Sequence, residues 1–338
     1  MPDPASRTRP ARRGALLAAL AIGLGLIAAP VAFAMFDRAP QGATMIADFE
    51  PFMTAPRLEG FQNDIATIDA AVREVDASTD PVVVEAREAS AGYAPLSEQW
   101  PQIHEDMTGL LDDVQANLGN YQAVAALPDF ALFPWFFLVP GALITALAGL
   151  GLLAPRRRTA LVRGGLALLG AGLIAAPVAF QMFDRAPAGG RMMDAFATIQ
   201  TTENVTRIQG YFATMAAGQG ALRLDVVPAV AQRIGPDAAA ETLPATTALD
   251  AAWIGILGDM TPMIGAMSDN VDSYQAVASL PPFPLFPWFF VAPGVLLLAI
   301  AGPGLRGRRP TEEAATRAPS PTPSPADAPA PGLTEGVR

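Results

Sequence analysis

The chain has 338 residues, of which 51% are apolar and only 16% are charged. Such a small charged fraction cannot cover an ordinary soluble surface and is typical of membrane proteins. The absence of Cys excludes disulfides and thiolate metal sites, and the net charge of -10 argues against a nucleic-acid partner, whose phosphates need clustered cations.

Four apolar stretches are each long enough to cross a bilayer core of roughly 30 Å, which needs about 20 residues. None of them contains an ionisable side chain. The sequence therefore predicts an all-α membrane protein with four transmembrane helices, at residues 15–36, 132–153, 164–183 and 285–305.

Clusters of Arg flank these stretches in the segments 1–14, 154–163 and 306–338. By the positive-inside rule, all three segments and both termini are expected in the cytoplasm. The two long segments, 37–131 and 184–284, are then extracytoplasmic. Every basic residue is Arg, and this usage, with abundant Ala and Pro, indicates a bacterial protein of the cytoplasmic membrane.

The first span has an alternative interpretation as a signal peptide, because Ala32-Phe33-Ala34 matches a small-x-small cleavage site. The third span repeats the same sequence deep inside the chain, with Gln181 in place of Ala34. A signal peptide cannot lie there, so an uncleaved anchor is favoured.

That repeat extends over much of the chain. Leu26–Pro40 matches Leu173–Pro187, and Tyr121–Gly141 matches Tyr274–Gly294. The first pair is offset by 147 positions and the second by 153, so the second long segment has six extra residues. The pattern predicts a tandem parallel repeat, in which two homologous helical-bundle domains each lie between two spans.

Apolar residues in both long segments recur at spacings of three and four, as in coiled coils and helical bundles. One stripe in the first segment begins at Leu58 and ends at Val75, and a second begins at Trp100 and ends at Val124. Both stripes recur in the second segment. Between them, Pro81–Ala91 is compatible with a helix or a strand, and a helix is favoured. The Pro-rich tail within 306–338 is typical of a disordered segment.

The residues that could do chemistry are few. His104 is the single histidine and cannot form a zinc site alone, so no metal and no cofactor are expected. The acidic residues lack calcium-loop spacing and are interpreted as a solvated face. An Asp/Glu pair stays open as catalytic machinery, but no catalytic residue is assigned and the chain is expected not to be an enzyme.

Two groups of residues are candidate sites. The first is expected to pair helices of the two domains, with both asparagines buried; it comprises Asn117, Asn270, Trp100, Trp253, Tyr121 and Tyr274. The alternative is that the stripe ends before the asparagines and both face water. The second is expected to form a collar at the membrane surface, as local ion pairs or as a docking site; it comprises Asp37, Arg38, Asp184, Arg185, Trp135 and Trp288.

The segments expected in the cytoplasm are too small for enzymes. Spans without ionisable side chains argue against an ion-coupled transporter. The first hypothesis is a scaffold or accessory subunit that presents its helical domains to a membrane-protein partner or to a second copy of the chain. The alternatives are a module that binds a small or lipid-like molecule for a separate transporter, and a channel or carrier.

Overall fold

The computed structural model describes residues 4–153 and 159–302, which form helices and turns without any strand. Four of the described helices are long and apolar enough to cross a membrane, which confirms the prediction of an all-helical fold with four candidate membrane-spanning helices. They are α1 (Pro4–Ala32), α6 (Phe133–Leu153), α7 (Thr159–Ala179) and α14 (Phe286–Ala301). Residues 154–158 of the Arg-rich loop and the tail 306–338 lie outside the described residues.

The four spans pack as two pairs, α1 with α6 and α7 with α14. Glycines allow each pair to approach closely. A Cβ added at Gly23 would lie 2.9 Å from the carbonyl oxygen of Gly141, and one added at Gly170 would lie 2.9 Å from that of Gly294. Small residues at the contact are the usual basis of helix association in membranes, where lipid is as apolar as the side chains.

Two spans end earlier than the sequence predicts. The first was placed at 15–36, yet α1 ends at Ala32 and a new helix begins at Met35. Of the two residues between them, Ala34 has a φ of 49°, in the left-handed region that stops a helix. Gln181 has a φ of 53° at the end of α7 and does the same there.

Ten further helices form what we call the head, which comprises the described residues between the spans of each half, from Met35 to Ala125 and from Met182 to Ala278. From the first long segment come α2 (Met35–Phe49), α3 (Ala55–Asp76), α4 (Pro81–Ala89) and α5 (Ala94–Ala125). From the second come α8 (Met182–Phe196), α9 (Thr202–Ala221), α10 (Val227–Ile234), α11 (Pro236–Thr242), α12 (Pro244–Asp269) and α13 (Val271–Ala278).

The helices of the two segments interleave. Helix α3 packs on α5 of its own segment and on α12 of the other, α5 packs on α8 and α9, and α2 packs on α13. This differs from the expectation of one bundle for each segment. The physical reason is that the apolar stripe of α3, from Leu58 to Val75, is buried against helices of both segments. A stripe defines which face is buried, but not which helix covers it.

The middle of each segment is helical. The favoured helix at Pro81 is confirmed as α4, which Asp80 caps by accepting a hydrogen bond from the Val82 N–H. In the second segment, Leu222–Val226 forms a π-helical turn between α9 and α10. Helix α11 occupies the region where the six extra residues are needed.

Candidate functional site

The two asparagines expected to pair have different environments. Asn117 is half-buried within α5, where its Nδ2 donates to the Asp113 carbonyl oxygen and its Oδ1 accepts from Asn120. Asn270 is 1% exposed and lies at the break between α12 and α13. Its Nδ2 donates to Asp48 of the first segment and to the Ala266 carbonyl oxygen. The two amides therefore do not hydrogen-bond to each other.

Three of the four aromatic members of that group link helices of the same half. Trp100 donates from its indole N–H to Asp69 Oδ1 at 3.0 Å, whereas Trp253 is buried on α12. The Tyr121 hydroxyl donates to the Ile46 carbonyl oxygen at 2.7 Å, and the equivalent Tyr274 hydroxyl donates to that of Met193. Burial, with a smaller contribution from Glu50, raises the pKa of Tyr121 to about 12, so this phenol remains a donor.

These two tyrosines border an apolar cavity inside the head, with a volume of about 70 Å³. Its walls come from α2, α5, α8, α12 and α13 and thus from both halves of the chain. Repeat-equivalent residues of the two halves line it together, including Met45 with Met192 and Phe49 with Phe196. The lining includes six methionines, which are Met45, Met53, Met192, Met193, Met263 and Met267. Methionine is flexible and polarisable, so such walls can adapt to an apolar guest.

One wall of the cavity carries a polar group without a partner. Gln200 is only 6% exposed, and its Oε1 accepts no hydrogen bond from the described residues. The equivalent position in the first half is Met53, which also lines the cavity. A buried amide oxygen without a donor is unfavourable by about 1–3 kcal/mol. The cavity therefore suits an apolar molecule that carries one hydrogen-bond donor.

The collar residues bond differently from the expected local ion pairs. Arg38 Nη1 donates to the carbonyl oxygens of Phe33, at 3.1 Å, and Ser279, at 3.3 Å. In the other half, Arg185 Nη1 donates to the Ala126 carbonyl oxygen at 2.6 Å. Ala126 and Ser279 are the residues that follow α5 and α13. Each arginine thus caps a helix C-terminus of the opposite half, where the helix dipole favours a cation.

The tryptophans of the collar stack on the adjacent helix starts. Trp135 meets the Phe36 ring edge-on with centroids 5.8 Å apart, and Trp288 meets Phe183 at the same distance. Asp37 and Asp184 are exposed in the first turns of α2 and α8. Carboxylates at helix N-termini are favourable, which gives these two residues a local structural role.

His104 lies at the edge of the head, with its Nε2 4.0 Å from Asp69 Oδ1 and its ring against Trp100. Within residues 4–153 and 159–302, no group of three or more His, Cys, Asp or Glu side chains is placed to hold a metal ion.

Sequence reasoning did not find the cavity or the cross-half arginine caps. A signal for both was present. Arg38 and Arg185 stand at equivalent positions, as do Ala126 and Ser279, and Gln200 departs from its equivalent Met53 in an otherwise apolar set. Comparison with protein-family models, curated proteins and solved structures finds no match to this chain.

Proposed function

We propose that this protein is a non-enzymatic membrane protein whose head binds a lipid-like molecule with a short apolar chain and one hydroxyl or protonated carboxyl group. The observation that carries the proposal is the methionine-lined cavity with the unpartnered Gln200 in its wall. An apolar chain would fill the space between the two halves, and its polar end would donate to Gln200 Oε1.

The cavity favours binding over catalysis. Its lining residues are apolar apart from Gln200 and the two tyrosine hydroxyls, and both hydroxyls already donate to backbone carbonyl oxygens. A general base or nucleophile would have to be supplied by ionisable side chains within reach of the guest. The lining has none, which supports a binding role.

The proposal includes the topology derived from the sequence. In it, the chain crosses a bacterial cytoplasmic membrane four times as a tandem parallel repeat, with the Arg clusters inside and the head outside. In both halves, glycines stand at equivalent helix crossings and an arginine caps an equivalent helix end, and this agreement supports the repeat. The head would then hold its guest at the outer surface for a membrane-protein partner such as a transporter.

A scaffold role for the head stays a second proposal. Two large apolar side chains stand on its surface, Ile254 at 75% and Leu224 at 73% exposure, and they could contact a partner or a second copy of the chain. The two roles are compatible, because an accessory subunit can both hold a lipid and dock on a partner.

The binding proposal is tested with the full chain in lipid nanodiscs and a short-chain alcohol that carries a diazirine at its far end. After irradiation, mass spectrometry should map the crosslinks to cavity residues of α2, α8 and α12. Filling the cavity with Met267→Phe should abolish them, whereas Ile254→Phe, which adds the same ring to the exposed face of α12, should not.

Gln200→Met tests the polar contact, because it installs the residue type of the equivalent position. It should lower labelling by the alcohol about two- to tenfold, as expected for one hydrogen bond, and leave labelling by the matching hydrocarbon unchanged. Labelling that is equal in the wild type and in Met267→Phe would contradict the proposal.

The topology is tested with single cysteines, since the chain has none. Ala91→Cys and Ser268→Cys lie at exposed positions of the head and should react with an impermeant maleimide in intact cells. Thr311→Cys, in the cytoplasmic tail by the proposed topology, should react only after lysis. Labelling of Thr311→Cys from outside would reverse the orientation.

A further inference from the structure

A second apolar space lies at membrane depth, between α1 and α14. This groove has a volume of about 360 Å³ and reaches from the middle of both spans to the level of Met35 and Pro281. The residues that line it include Gly25, Ala29, Phe33, Trp288, Phe289 and Leu296.

The equivalent seam on the other side of the molecule is closed. There α6 packs against α7, and the rings of Phe136 and Phe180 lie 6.0 Å apart. Their repeat equivalents, Phe289 and Phe33, line the groove instead. Helices α6 and α7 follow each other in the chain, so a short connection holds them together. Helices α1 and α14 have no such connection, and although they touch, their seam is open along the groove.

Arg38 stands at the rim of the groove. Its two bonds from Nη1 hold the guanidinium beside Phe33, a groove residue, and Ser279, which is two residues before Pro281 in the groove wall. The Nε and Nη2 groups make no hydrogen bond to the described residues, and the side chain is only half-buried. Three N–H donors with a full positive charge are therefore free at the membrane surface. The carboxylate nearest to Arg38 in sequence is that of Asp37, whose side chain is exposed.

We infer that the groove between α1 and α14, with Arg38 at its rim, binds one membrane phospholipid. An acyl chain lies in the groove and the phosphate accepts hydrogen bonds from the Arg38 guanidinium. The positive charge of Arg38 and the position of the groove in the bilayer both indicate a phospholipid as the occupant. The groove opens to the hydrocarbon core, whose molecules are acyl chains, and a planar guanidinium at headgroup level matches phosphate geometry. The site is separate from the head cavity and does not depend on its guest.

The experiment uses the full chain in nanodiscs of phosphatidylglycerol and phosphatidylethanolamine that contain a trace of one photoactivatable lipid. The first probe is a phosphatidylglycerol with a diazirine in one acyl chain. The second is a diacylglycerol with the same chain and no phosphate. After irradiation, mass spectrometry compares crosslinks on α14, at the groove, with crosslinks on α6 and α7, at the closed seam.

The phospholipid probe should label α14 well above α6 and α7. Arg38→Gln should lower that α14 labelling about tenfold, the loss expected for charge-assisted hydrogen bonds, and should leave labelling by the diacylglycerol unchanged. Arg185→Gln is the matched control, because it removes the equivalent helix cap beside the closed seam and should leave the α14 labelling intact.

Gly25→Leu provides a variant that leaves Arg38 in place. A Cβ at Gly25 meets no atom within 4 Å, so the leucine can occupy the groove without disturbing the helix pair. It should remove α14 labelling by both probes. Equal labelling of α14 in the wild type, Arg38→Gln and Gly25→Leu would overturn the inference and leave only the ordinary lipid coat. Failure of the head-cavity experiment would not alter either result.

Discussion

Two junctions join the halves of the head at equivalent positions but with different chemistry. Between α3 and α12, Asp64 lies near Asp259, and burial, followed by the charge of Asp259, raises the pKa of Asp64. Between α5 and α9, the equivalent positions are Asp106 and Tyr211, and the Tyr211 hydroxyl donates to Asp106 Oδ2 at 2.6 Å. The first junction brings two carboxylates together, and the second pairs a donor with an acceptor.

The comparison shows which interactions the two junctions have in common. Both depend on buried apolar stripes, such as Phe61 and Ile65 on α3 and Val205 and Ile208 on α9. The polar pair at the edge is not common to both. Arg57 bonds to Asp259 at 2.8 Å and offsets part of the repulsion in the first junction. Apolar burial therefore holds both pairs of helices, and each polar pair modifies the stability of its own junction.

The largest expected effect comes from overpacking the α5–α9 junction. A Cβ at Gly218 would lie 2.3 to 2.8 Å from side-chain atoms of Leu96, which is 1% exposed. Gly218→Ala should therefore destabilise the protein by about 1–3 kcal/mol. The equivalent position on α3 is Ala71, so only this junction needs a glycine.

Thermal unfolding of the purified protein, followed by circular dichroism, measures that effect. Gly220→Ala is the matched control, because no atom lies within 4 Å of its added Cβ. It should be neutral or slightly stabilising, as alanine favours helix over glycine. If both variants unfold at the same temperature, the close contact with Leu96 is not a feature of the folded protein.

Glu74 strengthens the α3–α12 junction alone. Its Oε1 accepts from the Ala245 N–H, and its Oε2 accepts from the N–H and hydroxyl of Thr246, at 2.8 to 2.9 Å. A side chain of the first half thus caps the N-terminus of α12. Glu74→Ala should cost about 1–2 kcal/mol, which the same unfolding measurement detects. The exposed Glu88→Ala is the control, and an equal effect of both changes would rule out the cap.

Tyr211→Phe should have a smaller effect on the α5–α9 junction. It removes the hydroxyl that bonds to Asp106 and keeps the ring, so a loss of about 0.5–1.5 kcal/mol is expected. A double-mutant cycle with Asp106→Ala isolates the interaction. In that cycle the Tyr211→Phe change should cost little once Asp106 is absent. A full loss in the Asp106→Ala background would mean that another contact of the hydroxyl, and not its hydrogen bond to Asp106, is responsible.

The sequence predicts those features of the junctions that both copies of the repeat share. The spans and stripes were predictable because two copies repeat the same apolar spacing, and the stripe residues of α3, which begin at Leu58 and end at Val75, are indeed buried. The interleaving was not, since a stripe carries no information on its partner helix. The burial of Asn270 was expected, but the helix break there was not, because the equivalent Asn117 lies within the unbroken α5. Differences between copies, such as Asp64 and Tyr211, marked the sites that the common pattern could not explain.

The smallest expected effect is that of Asp64→Asn, and its direction is stabilising. The pKa of Asp64 is raised in the folded protein, so between its ordinary and its raised value the folded state holds more protons than the unfolded state. Stability then falls as pH rises through that window, and above the window the charged Asp64 carries the full unfavourable effect. Asp64→Asn removes this charge, and at neutral pH it should raise stability by less than about 1 kcal/mol.

The pH dependence separates this electrostatic effect from a change in packing. As pH is lowered from about 7 towards about 4, near the ordinary pKa of an aspartate, Asp64 itself becomes neutral and the advantage of the asparagine should vanish. Unfolding temperatures of the wild type and the variant, measured across that range, should therefore converge. The exposed Asp112→Asn on α5 removes one charge elsewhere in the head and should show no such convergence. A constant gap between Asp64→Asn and the wild type at all pH values would mean that the proximity of Asp64 and Asp259 has no electrostatic consequence, and the two junctions would then differ only in their hydrogen bonds.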